Sequence, residues 1–320
     1  MSRRKRLWQY YYSKSVFTPS SVPGLVLWLE ADKGITVSMS PVTAAGTTPP
    51  TVTLSGTPST SQTSGTTPYV EIDITTGGAL GTALYQVNLN GTVILSGQTT
   101  AASAPLTGTG LTAAFSAGTY ATNNVYTANI NAAAWADQSG LLNNFLQATA
   151  TLQPTYVGGA ARPHLYFGSN NIYLVNSTLA LNQPCEVFVA AQLTSVSGAV
   201  KVLTSFSSTG NINSFYTNGG NPSTLTQYAN AAAVNGVVLT ANADFVTDGF
   251  FNGASSQQIL NGGAPVTGGN PGTTNGTGGS IGYEPGGASW IGRVYGVLTY
   301  NQAVSVANRA LLNAFMATVP

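Results

Sequence analysis

Charge is scarce in this chain. Of 320 residues, ten are Lys or Arg and nine are Asp or Glu, 6% in all. There is one cysteine, Cys185, and one histidine, His164. A lone cysteine excludes an intramolecular disulfide and a cysteine-based metal cage, so stability must come from packing or assembly. With a single histidine, any Ser/His/Asp or Cys/His mechanism would have to run through His164. Its setting, Pro163 and an apolar strand start, reads as a strand edge and not as a catalytic base. No apolar run approaches the length of a membrane span. The glycines fall in turns and loops, never between a strand and a helix, so no phosphate-binding loop is present and nucleotide chemistry is set aside.

The few charges are unevenly placed. Arg3, Arg4, Lys5, Arg6 and Lys14 are half of all the cations, which leaves five cations against nine carboxylates over the rest of the chain. That mildly acidic body lacks the electrostatic footprint of a nucleic-acid binder. "SRRKRLW" looks like a twin-arginine export signal, but "QYYYSKSVFTPSS" supplies neither an apolar core nor a cleavage site. A soluble chain, not exported by its own N-terminus, is therefore expected. Together with Trp8, Tyr10, Tyr11 and Tyr12, the five cations make residues 1–20 an arm suited to docking on another protein, because rings bury area while cations find carboxylates or carbonyls.

What is abundant is Gly, Thr, Ser, Asn and Ala, with 43% hydrophobic residues. That is the profile of many short strands joined by polar turns, and it predicts an all-β protein. "GLVLWLEADKGITV" is apolar on both faces, as a strand covered on both sides should be. From about 41 to 131 the texture changes to Thr- and Gly-rich, nearly uncharged alternation. Val70, Ile72 and Ile74 oppose Glu71 and Asp73, which form an exposed sheet face, and Asn90-Gly91 signals a type I′ hairpin. This stretch reads as a small antiparallel β-sandwich inserted into a larger domain comprising residues 21–40 and 132–320. In the larger domain short strands recur to "SWIGRVYGVLTY", and "NGGAPVTGGNPGTTNGTGG" reads as a surface loop. Cys185, in "PCEVFVAAQL", reads as a core residue. The one helix predicted is terminal, with Ser305 as N-cap and Ala307, Leu311, Leu312, Phe315 and Met316 on its buried face.

"VPGLVLWLEADKGITV", "AWADQSGLLNNFLQATATLQPTYV", "ARPHLYFGSNNIYL" and "IGRVYGVLTYNQAVSVANRALLNAFMA" together resemble, in order, the segments of the laminin-G-like, concanavalin A-like jelly roll. Such modules occur in bacteriophage virion proteins and bacterial surface proteins. "ITTGGALGTALYQVNLNG" is similar to a small β module of phage structural proteins. The resemblance implies a jelly-roll sandwich carrying the inserted β-sandwich and a short C-terminal helix. Within it, "WADQSG" reads as a turn in which Asp137 bonds backbone amides and Gly140 takes positive φ after a buried Trp135. Where related modules bind calcium, the corresponding loop here reads "FGSNNIYL", with Asn170 and Asn171 in place of carboxylates, and amides are poor ligands for a hard cation. No metal ligands and no cofactor are assigned; calcium is the one ion the resemblance raises.

Some concanavalin A-like hydrolases carry carboxylates two apart on one strand. Glu30 and Asp32 have that spacing and would lie about 7 Å apart on one face. "KGITV" lacks the third acid, so they read as solvated strand-end carboxylates and the chain is not read as an enzyme. Tyr216, Tyr228 and Tyr283, with Asn211, Asn213 and Asn218, are the candidate glycan-contact surface. The function expected is a structural protein displayed on a bacteriophage virion, as head fibre, decoration, collar or tail-associated protein. Its partners would be capsid, portal or tail components held through the arm, with no membrane and no nucleic acid expected, and its state a homo-oligomer. The competing reading is a carbohydrate-binding receptor-recognition module; a glycoside hydrolase ranks below both.

Overall fold

The computed structural model describes residues 17–195, 201–207, 213–217, 224–230, 236–283 and 289–319. The arm residues Arg3, Arg4, Lys5, Arg6, Trp8, Tyr10, Tyr11, Tyr12 and Lys14 lie outside them, as do Asn211 and Asn218.

Among the described residues the architecture is all-β with one α-helix, which is terminal. Sixteen antiparallel strands join into a single hydrogen-bonded sheet that folds over on itself. Its two inward faces close on a core that includes Trp135, Phe145, Phe167, Phe215, Leu225, Phe251 and Trp290. The strand Cys185–Leu193 is buried along its whole length. Cys185, Val187, Val189 and Ala191 face the main core. Phe188 and Ala190 face a second layer made with Tyr295, Leu298, Leu312 and Met316. A strand covered on both sides must be apolar at successive positions, which explains the unbroken run in the sequence. Burial pushes the Cys185 thiol pKa far up, as befits a core residue. Leu25–Glu30 behaves likewise: Leu27 and Leu29 enter the main core while Trp28 meets Phe315 edge-on at 6.1 Å.

The helix Val306–Thr318 starts where predicted, with the Ser305 side chain accepting from the Asn308 amide. Its buried face is rotated from the predicted one. Leu312, Asn313 and Met316 are buried, whereas Ala307 and Leu311 are exposed. The reason is polar. Arg309 Nε lies 2.6 Å from Glu186 and 3.2 Å from Asp248, both fully buried in the sheet beneath. Glu186 also accepts the Val304 amide at 2.7 Å. Burial, then the neighbouring Glu186, raises the Asp248 carboxyl well above the ordinary range, while Arg309 opposes the shift. Among the described residues no helix is long and apolar enough to cross a membrane.

The chain leaves the large sheet along Ile35–Met39 and returns along Ile130–Trp135, and these two strands pair with each other. Between them lies a five-stranded sheet in the order Thr43–Ala45, Val125–Ala128, Val70–Thr76, Leu84–Leu89, Thr92–Thr99. A three-stranded sheet faces it, and the core between them holds Val70, Ile72, Ile74, Tyr85, Val87 and Phe115. Asn90 and Gly91, at φ 50° and 80°, make the hairpin turn. Glu71 and Asp73 do share the face away from that core. They are half-buried, however, and held by Asn88 at 2.8 and 2.9 Å, so the face is not simply solvated.

One expected loop contains a strand. Gly276–Ile281, at the end of the Gly-rich tract, pairs with Leu174–Leu181 and Lys201–Ser205. A Cβ at Gly276 would run into the Phe206 carbonyl, so the glycine there serves close strand approach.

Because Arg309 bridges the buried Glu186 and Asp248, Arg309→Leu leaves both without that cation. The expected loss is about 3–5 kcal/mol, read as a lowered urea midpoint; a loss within about 0.5 kcal/mol would show the pair to be incidental.

Candidate functional site

The side chains that assemble a site are spread along the chain and are brought together by strand register. On the face of the sheet turned away from the main core, Ser38 pairs with Asn131 and Asn131 with Thr155. Thr155 pairs with Tyr166, and Tyr166 with Arg293. Arg293 pairs with Gln192, and Gln192 with Asp244. Paired residues in an antiparallel ladder project from the same face, so these form one row of polar side chains across seven strands. Alternation places Leu165 and Phe167, on either side of Tyr166, in the core.

The insertion roofs this row. Buried Gln62 pins the roof: its Nε2 donates to the Ser64 and Thr67 carbonyls at 2.6 and 3.0 Å and to Asn129 at 3.1 Å. Its Oε1 accepts the Ile130 amide at 2.8 Å, at the point where the chain re-enters the sheet. Gly65 then comes down on Tyr166, and Gly168 abuts the same ring, both so closely that a Cβ would collide with it.

Two cavities flank Tyr166 and Gly65. The larger, about 450 Å³, is lined by Ser40, Asn129, Asn131, Thr155, Tyr166 and Ser169 among others, with no charged side chain. The Thr155 and Ser169 hydroxyls and the Tyr166 phenol make no side-chain hydrogen bond among the described residues, so they remain open to a ligand. The smaller, about 150 Å³, is lined by Thr63, Ser64, Thr66, His164, Tyr166 and Arg293 with Gly65 and Ala160.

His164 begins its strand, as the sequence suggested, but is almost wholly buried. Its Nδ1 lies 2.9 Å from the Arg162 carbonyl. A carbonyl only accepts, so Nδ1 carries the proton and Nε2 presents a lone pair, which has no partner among the described residues. Arg162 itself is committed to Asp244 and to the Met316 and Val319 carbonyls at the end of the helix. Asp244 additionally accepts from Tyr295 and Gln192. Arg293 forms no ion pair among the described residues.

The residues singled out from sequence fare differently. Tyr216 and Tyr228 do meet, edge-to-face at 5.7 Å, but Tyr283 stacks instead on Tyr173 at 5.1 Å. Asn213 is fully buried and bonded to Leu181 and Gln183, which removes it from any contact surface. Glu30 and Asp32 do not share a strand, because the strand ends at Glu30. Glu30 is buried and paired to Lys33 at 2.8 Å, not solvated, whereas Asp32 is exposed. Asp137 caps its turn as expected: it accepts the Trp28, Ser139 and Asn143 amides, and Gly140 has φ 88°. Among the described residues no three His, Cys, Asp or Glu side chains gather as a metal cage. Tyr166, Arg293 and the roof were missed from sequence. The available signal was a polar residue at alternate positions of otherwise apolar strands, in "HLYF" and "GRVYG".

No family model matches the chain, and no curated protein does. Solved structures with partial similarity include a heptameric SAP-like pentraxin from Limulus polyphemus, 14% identical, covering 46% of this chain and 79% of that one at a TM-score of 0.37. Domain 4 of the arabinanase AbnA from Geobacillus stearothermophilus, solved with arabinotriose, is 10% identical, covering 56% and 92% at 0.42. A Trypanosoma rangeli sialidase is 8% identical, covering 76% of this chain and 44% of that one at 0.45.

His164 is the sole imidazole, so its titration can be read directly by NMR. Burial lowers its pKa to about 4, the Arg162 carbonyl opposing and Arg293 assisting. Between pH 6.5 and about 4 the unfolded chain takes up a proton that the folded chain refuses, so stability falls as pH drops through that window. A midpoint near 6.5 would contradict the burial.

Proposed function

We propose that this protein is a saccharide-binding module whose site is the roofed polar row around Tyr166. The observation that carries the reading is the larger cavity: uncharged, lined by amides and by hydroxyls of which those of Thr155, Ser169 and Tyr166 make no side-chain hydrogen bond among the described residues, and bordered by one aromatic ring. Sugars demand this combination, since their hydroxyls both donate and accept while their C–H faces pack on aromatic rings. The cavity is also of a size that holds a small ligand. Its position, between the large sheet and an insertion pinned by Gln62, keeps the groups in place before a ligand arrives.

A glycan array followed by titration tests this. Tyr166→Ala is expected to weaken binding roughly fivefold to tenfold, about 1 kcal/mol, while Tyr216→Ala and Tyr228→Ala leave it unchanged. Binding lost in the latter variants and retained in the former would move the site to the other sheet face.

The second reading, attachment to a bacteriophage particle through the N-terminal arm, is favoured by the composition of that arm, in which Arg3, Arg4, Lys5 and Arg6 stand beside Trp8, Tyr10, Tyr11 and Tyr12. A display protein would be fastened by such an arm and leave the sandwich for recognition, and a homo-oligomer would multiply weak contacts. Deleting residues 2–14 should abolish incorporation into particles while sparing glycan binding; full incorporation of the truncated chain would exclude the arm as the fastener.

A further inference from the structure

We infer that the sugar taken by this site is an acidic one, its carboxylate held by Arg293 and a neighbouring hydroxyl donated to His164 Nε2. The inference rests on the saccharide reading above and narrows its ligand class. Its basis is the smaller cavity, which shares Tyr166 and Gly65 as walls with the larger and differs from it in chemistry.

Three features converge there. Arg293 is exposed, lines the cavity and has no carboxylate partner among the described residues. Asp244, the acid in the same register row, is taken by Arg162, Tyr295 and Gln192. A guanidinium left in that state beside a polar cavity suits a planar carboxylate, which it can grip with two parallel bonds. The second feature is His164, nine-tenths buried and more, whose Nδ1 proton is committed to a carbonyl and whose Nε2 has no donor among the described residues. A buried acceptor without a partner calls for an O–H or N–H from the ligand. The third is the roof itself, where Thr63, Ser64 and Thr66 border the same cavity with hydroxyl-bearing side chains.

These demands together select among ligands. A neutral sugar would satisfy His164 and leave the cation unmatched. An unprotonated sulfate or phosphate would satisfy Arg293 and set oxygen lone pairs against the His164 lone pair. A sugar acid carries both a carboxylate and adjacent hydroxyl donors, and meets both. Because Arg293 is exposed, its contribution is open to screening, and the preference for the acid should shrink as salt is added.

The test is an NMR titration of the full chain with methyl galacturonoside against methyl galactoside, and methyl glucuronoside against methyl glucoside, reading the His164 imidazole. Each uronoside is expected to bind on the order of tenfold more tightly than its neutral partner. Arg293→Gln should erase that advantage, leaving each uronoside no tighter than its neutral partner, and Arg293→Lys should restore part of it. An advantage that survives in Arg293→Gln, or equal affinities in the unaltered chain, overturns the inference while leaving the saccharide reading intact. If none of the four sugars binds, both fall. Inorganic sulfate binding as tightly as a uronoside would overturn the role given to His164.

Discussion

The pairing of Ile35–Met39 with Ile130–Trp135 is the constraint on which the rest of this molecule depends. It lets a long insertion leave the large sheet and return to it at one place, so the sheet is not interrupted and both of its faces remain usable. It also fixes where the insertion lies. Gln62 hydrogen-bonds across to Asn129 and Ile130, the residues at the return point, and so carries the position of the sheet into the segment that overhangs it. Were that pairing to slip by one residue, every side chain of these strands would exchange faces. Asn131 would then turn inward, and the polar row would lose the member that joins Ser38 to Thr155.

The outer face of the sheet that carries the polar row has a second task. One side of Cys185–Leu193 and its neighbours is sealed by the terminal helix, and the seal includes a buried Arg309–Glu186–Asp248 cluster. Buried charges of this kind add little net stability compared with apolar packing, but they are costly to leave unmatched. They therefore fix how the helix sits more than how strongly it holds. Arg162 ties the two regions together: it caps the helix through the Met316 and Val319 carbonyls, occupies Asp244, and supplies the carbonyl that sets the tautomer of His164. Asp244 is thereby taken, and Arg293 forms no ion pair among the described residues.

Local features were legible in the sequence because their causes are local. The Asn90-Gly91 hairpin, the Ser305 cap, the Asp137 turn and the two-faced Leu25–Glu30 strand each follow from a few adjacent residues. The helix face was misjudged because Arg309 and Asn313 look like solvent-facing residues until the sheet supplies Glu186 and Asp248 beneath them. Gly276–Ile281 was missed because strand propensity counts its glycines against it, whereas the neighbouring backbone requires them. The site was the least legible part. Ser38, Asn131, Tyr166, Gln192 and Arg293 are scattered through the chain, and only the register of non-adjacent strands sets them in line. The tyrosines chosen from sequence illustrate the same difficulty, since two of the three meet and the third pairs elsewhere.

The central claim is that the roofed row, and not the opposite tyrosine-bearing surface, receives the ligand. A crystal structure of the chain soaked with an oligosaccharide selected on a glycan array decides it most directly. The account predicts ordered sugar density in the cavity lined by Asn131, Thr155, Tyr166 and Ser169. Density lying instead against Tyr216 and Tyr228, with the row empty, would contradict it.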